Sequence, residues 1–229
     1  MAALITAESY QTLTGQTMTG ADLTALSGWC AGVNNAVRKH LRPYSPDSVT
    51  LTSFVMDAPT GNVLLLPVLP VRTLTSVYWR PGANGEVAAF TSDDLLTVND
   101  DYWMPTDPFD GYSRKGEVYR RGMSSWQGEY RYANPRSLAP QHDPGRGAIL
   151  LNATCGETSV PDAITSACAL MVSLIYARRK DGAPYASESW NGRSQSLAGA
   201  FTATAALHSP DVQALLAPFR PTLYHVAGD

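Results

Sequence analysis

From residue 20 onward, apolar side chains return every three or four positions: Leu23, Leu26, Cys30, Val33, Val37 and Leu41. That spacing paints one stripe along about five helical turns. Thr19 with Asp22 three positions later gives the start, and Arg38, Lys39 and His40 suit the negative end of the helix before Pro43 stops it. A shorter helix is expected over 6–13. A second long helix follows Ser159, with Pro161 and Asp162 in its first turn and a stripe of Ile164, Ala167, Cys168, Met171, Leu174 and Ile175. "ARRKDG" supplies the closing cations and glycine. The two stripes are expected to pack on each other. "HSPDVQALLAPFRP" opens a last short helix at Ser209-Pro210-Asp211, and "TLYHVAGD" ends the sequence without a helical period.

Between these helices the periodicity changes. Short β-rich runs are expected at 49–56, 62–66, 71–79, 86–91, 95–103, 117–121, 129–133 and 148–153, with Gly, Pro, Asn and Asp between them. Their spacing is that of antiparallel hairpins. In "NVLLLPVLPVRTLTSVYW", residues 62–79, Pro67 and Pro70 cannot donate to a sheet ladder, so the first run is confined to an edge or broken there. The following run is expected to pair with it as a hairpin lying on the two long helices, burying Leu64, Leu66, Leu69 and Val71. The expected fold is α+β: a small antiparallel helical bundle of two long helices plus short ones, with a β-hairpin and an inserted antiparallel β-rich region. Residues 1–80 and 148–221 would form the helical core, 81–147 the β-rich insertion and 222–229 a C-terminal tail.

Composition narrows what such a fold does. Of 229 residues, 44% are hydrophobic and 16% charged, against roughly 25% charged in an average domain. A surface short of charge is expected to be covered in part by other protein. The net charge of −3 provides no basic field for gripping a phosphate backbone. Three cysteines, Cys30, Cys155 and Cys168, show no CxxC spacing, so a reducing compartment and no disulfide framework are expected. No apolar run approaches the ~18 residues of a membrane span, and the start lacks a basic-then-apolar leader. A soluble, cytosolic protein is the expectation. Asn152-Ala153-Thr154 matches a glycosylation sequon, taken as chance.

Candidate chemistry is thin. "GRGAILL" lacks the Lys-Ser/Thr of a phosphate loop, and His40, His142, His208 and His225 are not at metal-ligand spacing. Asp93-Asp94 and Asp100-Asp101 offer paired carboxylates, yet neighbours on a strand point to opposite faces, and solvated turn carboxylates are the better reading. No GxSxG elbow is present. No catalytic, cofactor-binding or metal-binding residue is assigned. What stands out is an aromatic and basic crowd: Tyr102, Trp103, Phe109, Tyr112, Tyr119, Trp126, Tyr130 and Tyr132 with Arg114, Lys115, Arg120, Arg121 and Arg131. These residue types make inward-facing β cores, protein interfaces, or stacking platforms for sugars and single strands.

The order of elements is informative. A helix ending "VRKHLRPY" comes first, then Leu66-Pro67, Pro70-Val71, Leu74 and Ser76-Val77 in an "L-P-x-x-P-V-x-x-L-x-S-V" stretch. Pro161-Asp162 then leads a long helix, a Ser/Gly-containing stretch spans 187–196, and Leu215-Leu216 with Phe219-Arg220 closes a short helix. This order resembles the head-to-tail connector (adaptor) proteins of long-tailed bacteriophages, which dock beneath the portal ring. The resemblance covers about 4–80 and 148–221; the interval 80–147 is longer and more β-rich than compact members of that family need. It implies a non-enzymatic virion protein of the neck, made in the host cytoplasm. Its copies would form a ring, dodecameric in that family, between the portal and a stopper or tail-completion protein, near the capsid. Double-stranded DNA would pass through without specific binding, and neither membrane nor cofactor is involved. The residues nominated for partner contacts are Trp103, Tyr112, Tyr119, Trp126, Tyr130, Leu215, Phe219, Arg220 and Tyr224. A carbohydrate-binding module using Trp103 and Trp126, or a hydrolase using the paired aspartates, are the readings from other classes.

Overall fold

The computed structural model describes residues 3–80, 83–122, 126, 146–180, 188–190, 193–195 and 202–220. They divide into two units, residues 1–42 with 158–229 and residues 43–157. The strands around 49–79 and 149–155 therefore group with residues 81–147, whereas the sequence reading placed them with the helices.

The helical unit begins with α1, Ala7–Thr14, whose N-cap Thr6 and Ser9 satisfy each other's backbone in a capping box before Gly15 ends it in the left-handed region. α2 spans Ala21–Leu41 and buries Leu26, Cys30, Val33, Val37 and Leu41. Its stripe is as expected except that Leu23 is partly exposed. The cap differs: Gly20 occupies the N-cap with no side-chain hydrogen bond, so Thr19 does not start the helix. α3, Asp162–Lys180, contacts α2 and buries Ile164, Ala167, Cys168, Met171, Val172 and Ile175. Tyr10 joins Ser173 through their hydroxyls at 3.0 Å, and Asn34 holds the backbone of Ile5 from both sides at 3.0 Å. Arg179 lies 5.2 Å from the Trp29 ring centroid, and the Tyr176 ring meets that indole tilted by 50° at 6.1 Å.

Among the described residues the remaining elements are eight strands, two short helices and short 3-10 turns. In chain order β1 is Val49–Met56, β2 Val63–Leu65, β3 Val71–Trp79, β4 Tyr102–Trp103, β5 Glu117–Arg120 and β6 Ile149–Cys155. Within the helical unit β7, Glu188–Trp190, pairs antiparallel with β8, Arg193–Gln195. α4 is Ala203–Leu207 and α5 Pro210–Leu216; both contact α3, and they bury Ala206, Leu207, Val212 and Leu216.

The second unit holds two antiparallel three-stranded sheets, ordered β1-β6-β3 and β2-β5-β4. β6 is the central strand of the first: Leu151 faces Phe54 on one side and Val77 on the other. Paired on both flanks, it buries Ile149, Leu150, Leu151, Ala153 and Cys155, while Asn152 and Thr154 are half-buried. β2 and β3 do not form the expected hairpin. Pro67 and Pro70 break the ladder between them, and β2 pairs instead with β5, Leu64 opposite Val118. Leu64, Leu66, Leu69 and Val71 are buried as expected, but within the β core beside Leu51, Val77, Val118, Trp126 and Leu151. The expected strand at 86–91 is replaced by short 3-10 turns at Val87–Ala89 and Ser92–Asp94, the second capped reciprocally by Thr91 and Asp94. Only Tyr102–Trp103 of the expected 95–103 run is a strand, and 129–133 lies outside the described residues. Asn152 is spent inside the sheet, accepting from Ser53 N at 2.7 Å and donating to Ser76 Oγ at 2.8 Å.

Gly156, at the end of β6, has φ +76, and a Cβ there would lie 1.8 Å from Asp47 O. Neither backbone can yield without moving the strand. Gly156→Ala is expected to lower unfolding free energy by at least about 2 kcal/mol, whereas Gly15→Ala, equally left-handed but with nothing within 4 Å, costs about 1 kcal/mol of strain. Urea denaturation of both variants checks the difference.

Candidate interaction surface

The small sheet β2-β5-β4 sorts its side chains by alternation, because successive residues of a strand point to opposite faces. Leu64, Val118, Arg120 and Tyr102 turn inward and are buried. Val63, Tyr119 and Trp103 form a row across the other face, since Val63 and Trp103 both lie opposite Tyr119. Leu65, 60% exposed, continues that face beside Glu117. A solvent face should be polar; this one carries an apolar and aromatic row. The Trp103 and Tyr119 rings stack at 4.7 Å and 18°. The Tyr119 hydroxyl donates to Glu117 Oε2 at 3.0 Å, and that hydrogen bond raises the phenol above its ordinary value.

The inner face holds a buried cation. Arg120 is 8% exposed, its guanidinium 4.8 Å from the Trp79 ring and 5.3 Å from the Trp126 ring. Burial lowers its pKa, against the opposing field of Asp101. Among the described residues its Nη1 has no hydrogen-bond partner, so the two indole faces carry much of its compensation. Trp126, nominated for partner contact, is wholly buried instead. Its Nε1 donates to Asn62 O at 3.0 Å, and its own carbonyl accepts from Trp79 Nε1 at 2.6 Å. A buried indole needs a partner for its N–H, and these bonds tie Trp126 to the core.

Tyr112 lies half-buried on the 105–114 loop, with the Arg114 guanidinium 5.9 Å from its ring. In the helical unit, Leu215 and Phe219 are half-buried and Arg220 is exposed, its Nη1 donating to Gln213 Oε1 at 3.3 Å. Gln213 also donates to Leu207 O at 2.6 Å and sits 3.5 Å from His40 Nε2, so it ties the end of α2 to the α4–α5 segment. Burial lowers the pKa of His40, helped by the charges of Arg220 and His208. Tyr130 and Tyr224 lie outside the described residues. The structure thus brings Trp103 and Tyr119 together, withdraws Trp126, and groups Leu215, Phe219 and Arg220 around α5. Leu65 was missed; its alternation with buried Leu64 and Leu66 was the available signal.

The remaining chemistry is structural. Asp94 accepts from Thr91 N at 2.8 Å and Thr91 Oγ1 at 2.9 Å and pairs with Arg80 at 3.4 Å. Burial opposes its ionisation, but these bonds outweigh it and the carboxyl sits below its usual range. Asp101 accepts from Thr97 N. Both aspartates cap turns. Burial pushes the Cys155 thiol to about 11 and that of Cys168 to about 12, far from the values of reactive thiolates. Among the described residues no group of three or more His, Cys, Asp or Glu is placed to hold a metal ion, and no helix is long and apolar enough to cross a membrane.

No protein-family model matches the chain, and no curated protein matches it. Solved structures do. A chain from the neck of a native GTA particle, computed with C12 symmetry, is 15% identical, with 89% of this chain and 85% of that one covered and a TM-score of 0.43. A chain from the neck of an empty GTA particle, computed with C6 symmetry, is 14% identical over 100% and 96%, with a TM-score of 0.47. A third, from the virion of a native gene transfer agent particle, is 14% identical over 89% and 87%, with a TM-score of 0.42.

Trp126→Ala is expected to cost about 3–5 kcal/mol, as large core truncations do, while Trp103→Ala stays within about 1 kcal/mol; chemical denaturation of both decides which ring is core. His40 gives a pH expectation. A base whose folded pKa is depressed contributes stability that is present above its unfolded value, about 6.5. That contribution fades as pH falls below about 6.5 and through the lowered folded value. Thermal unfolding from pH 8 to 5 should show a smaller loss for His40→Asn than for the unsubstituted protein.

Proposed function

We propose that this chain is a structural protein of a phage-like particle's neck: a head-to-tail adaptor whose copies form a ring between the portal and a stopper or tail. Double-stranded DNA would pass through the ring. The observation that carries the reading is where the connector-like motifs fall on the fold. "VRKHLRPY" ends α2, Pro67 and Pro70 separate β2 from β3, Pro161-Asp162 leads α3, and Leu215-Leu216 closes α5. Each short motif punctuates an element, which is what residues that set chain direction must do.

The physical character of the surface agrees with that role. Head-to-tail contacts between copies close into a ring when the rotation per subunit allows. They need apolar surface that a solitary domain would have no reason to expose. Leu65, Trp103 and Tyr119 on the small sheet supply it. A net charge of −3 suits a passage through which a polyanion slides without being held. The C-terminal segment from Ser209 onward is the portal-facing part in this reading, with Leu215, Phe219 and Arg220 at its helix. A stopper or tail-completion protein would share these features and differ only in its neighbours. The Trp103–Tyr119 stack also favours a second reading, a carbohydrate platform, which glycan-array binding by a monomer would support.

Removing residues 221–229 leaves the buried Val212 and Leu216 in place, so the truncated chain is expected to fold. Particles assembled with it should package DNA yet lack tails in electron micrographs. Normally tailed, infectious particles from the truncated chain would count against docking through residues 221–229, Tyr224 among them.

A further inference from the structure

The last turn of α2 ends beside the α4–α5 corner, and one amide joins them. Gln213 N donates to Ser209 O at 2.9 Å, which fixes its backbone in the first turns of α5. Its side chain is fixed as well. Nε2 donates to Leu207 O at 2.6 Å, and Oε1 accepts from Arg220 Nη1 at 3.3 Å. Reversing the amide would set oxygen against oxygen and donor against donor, so those two partners decide its orientation. The same Nε2 lies 3.5 Å from His40 Nε2. An amide NH2 only donates, which leaves His40 Nε2 as the acceptor and puts the proton of the neutral ring on Nδ1.

We propose that His40 is a pH-sensitive latch on the α4–α5 corner. Neutral, it accepts from Gln213 and holds the corner on the end of α2. Protonated, it sets a donor against a donor and lets the corner open ahead of the rest of the helical unit. At 3.5 Å the bond itself is long, so the cost of the proton comes chiefly from what surrounds the ring. A helix end alone would favour a cation there, and the help a proton would draw from Gln213 needs that amide reversed. Burial acts first in the opposite sense, and the charges of Arg220 and His208 add to it, so the ring takes a proton less readily than usual. Arg38 and Lys39 precede it on α2. The acids of the packed helices are Asp162 in the first turn of α3 and Asp211 in the first turn of α5; among the described residues neither offsets those cations. A depressed folded value makes the closed corner fully favoured above about pH 6.5 and less favoured as pH falls through the lowered value. Buried Ala206, Leu207, Val212 and Leu216 keep the corner from leaving altogether, so the response is a change in how often it opens. On the neck reading this corner is the portal-facing part, but the latch does not depend on that reading.

The test measures amide hydrogen exchange by mass spectrometry on the whole chain from pH 8 to 5, with each rate divided by its intrinsic value. Peptides within 205–217 should lose protection at least about threefold as pH falls below about 6.5, while those within 24–38 and 164–176 keep theirs. His40→Asn should remove the step, and His208→Asn should shrink it without removing it. Nitrogen-15 shifts of the His40 ring at pH 8 should place its proton on Nδ1, a readout that needs no variant to fold. Equal loss across α2, α3 and α5, a step that survives His40→Asn, or a neutral ring protonated on Nε2 overturns the latch and leaves the neck reading standing.

Discussion

The β unit depends on one strand finding two partners that precede it by 97 residues in β1 and 74 in β3, counted at Leu151. β6 must slide between β1 and β3, with Leu151 meeting Phe54 and Val77 at once. No local signal brings those segments together, so the gain must come from burial. Five of its residues are buried, and apolar area removed from water is the main term that offsets the entropy of closing such long loops. Both ends of the strand need backbones closer than any side chain allows. Gly147 lies against Gly85 and Gly156 against Asp47, a built Cβ meeting atoms at 2.1 and 1.8 Å.

Once β6 is in place, the rest of that unit hangs from its neighbours. β3 accepts the loop after Tyr112 through Ser113, and Leu96 N bonds to Val77 O at 2.8 Å. These bonds hold the loop that carries Phe109 and the turns that lead to Trp103. The small sheet then closes over the core with Arg120 between two indoles, and its alternation decides which aromatic rings remain outside. The surface assigned to partners is thus a consequence of register: a shift of one residue in β5 would bury Tyr119 and expose Val118.

Much of this is legible in the sequence because local chemistry writes it there. The stripes of α2 and α3 encode both helices and their mutual packing, and the β-branched runs mark β1, β3 and β6 within two residues. Pairing is another matter. Periodicity states which face of a strand is apolar, not which strand lies beside it, so β2 was expected beside β3 when its partner β5 lies about fifty residues on. The β7–β8 pair was passed over although Asn191-Gly192 between them is a strong short-range hairpin signal. For the candidate surface, residue type alone could not divide the aromatic crowd. Trp103 and Trp126 share composition and neighbourhood, and the difference lies in tertiary hydrogen bonds that reach back to Gly61 and Asn62.

The claim on which the account turns is that this chain works by being held against other proteins at one vertex of a particle. An averaged electron cryo-microscopy image of the purified particle's neck tests it most directly. The account predicts density for the helical and β units repeated around the axis between portal and tail, with surrounding protein covering Leu65, Trp103 and Tyr119. A neck fully accounted for by other chains, with none of this one in it, would contradict it.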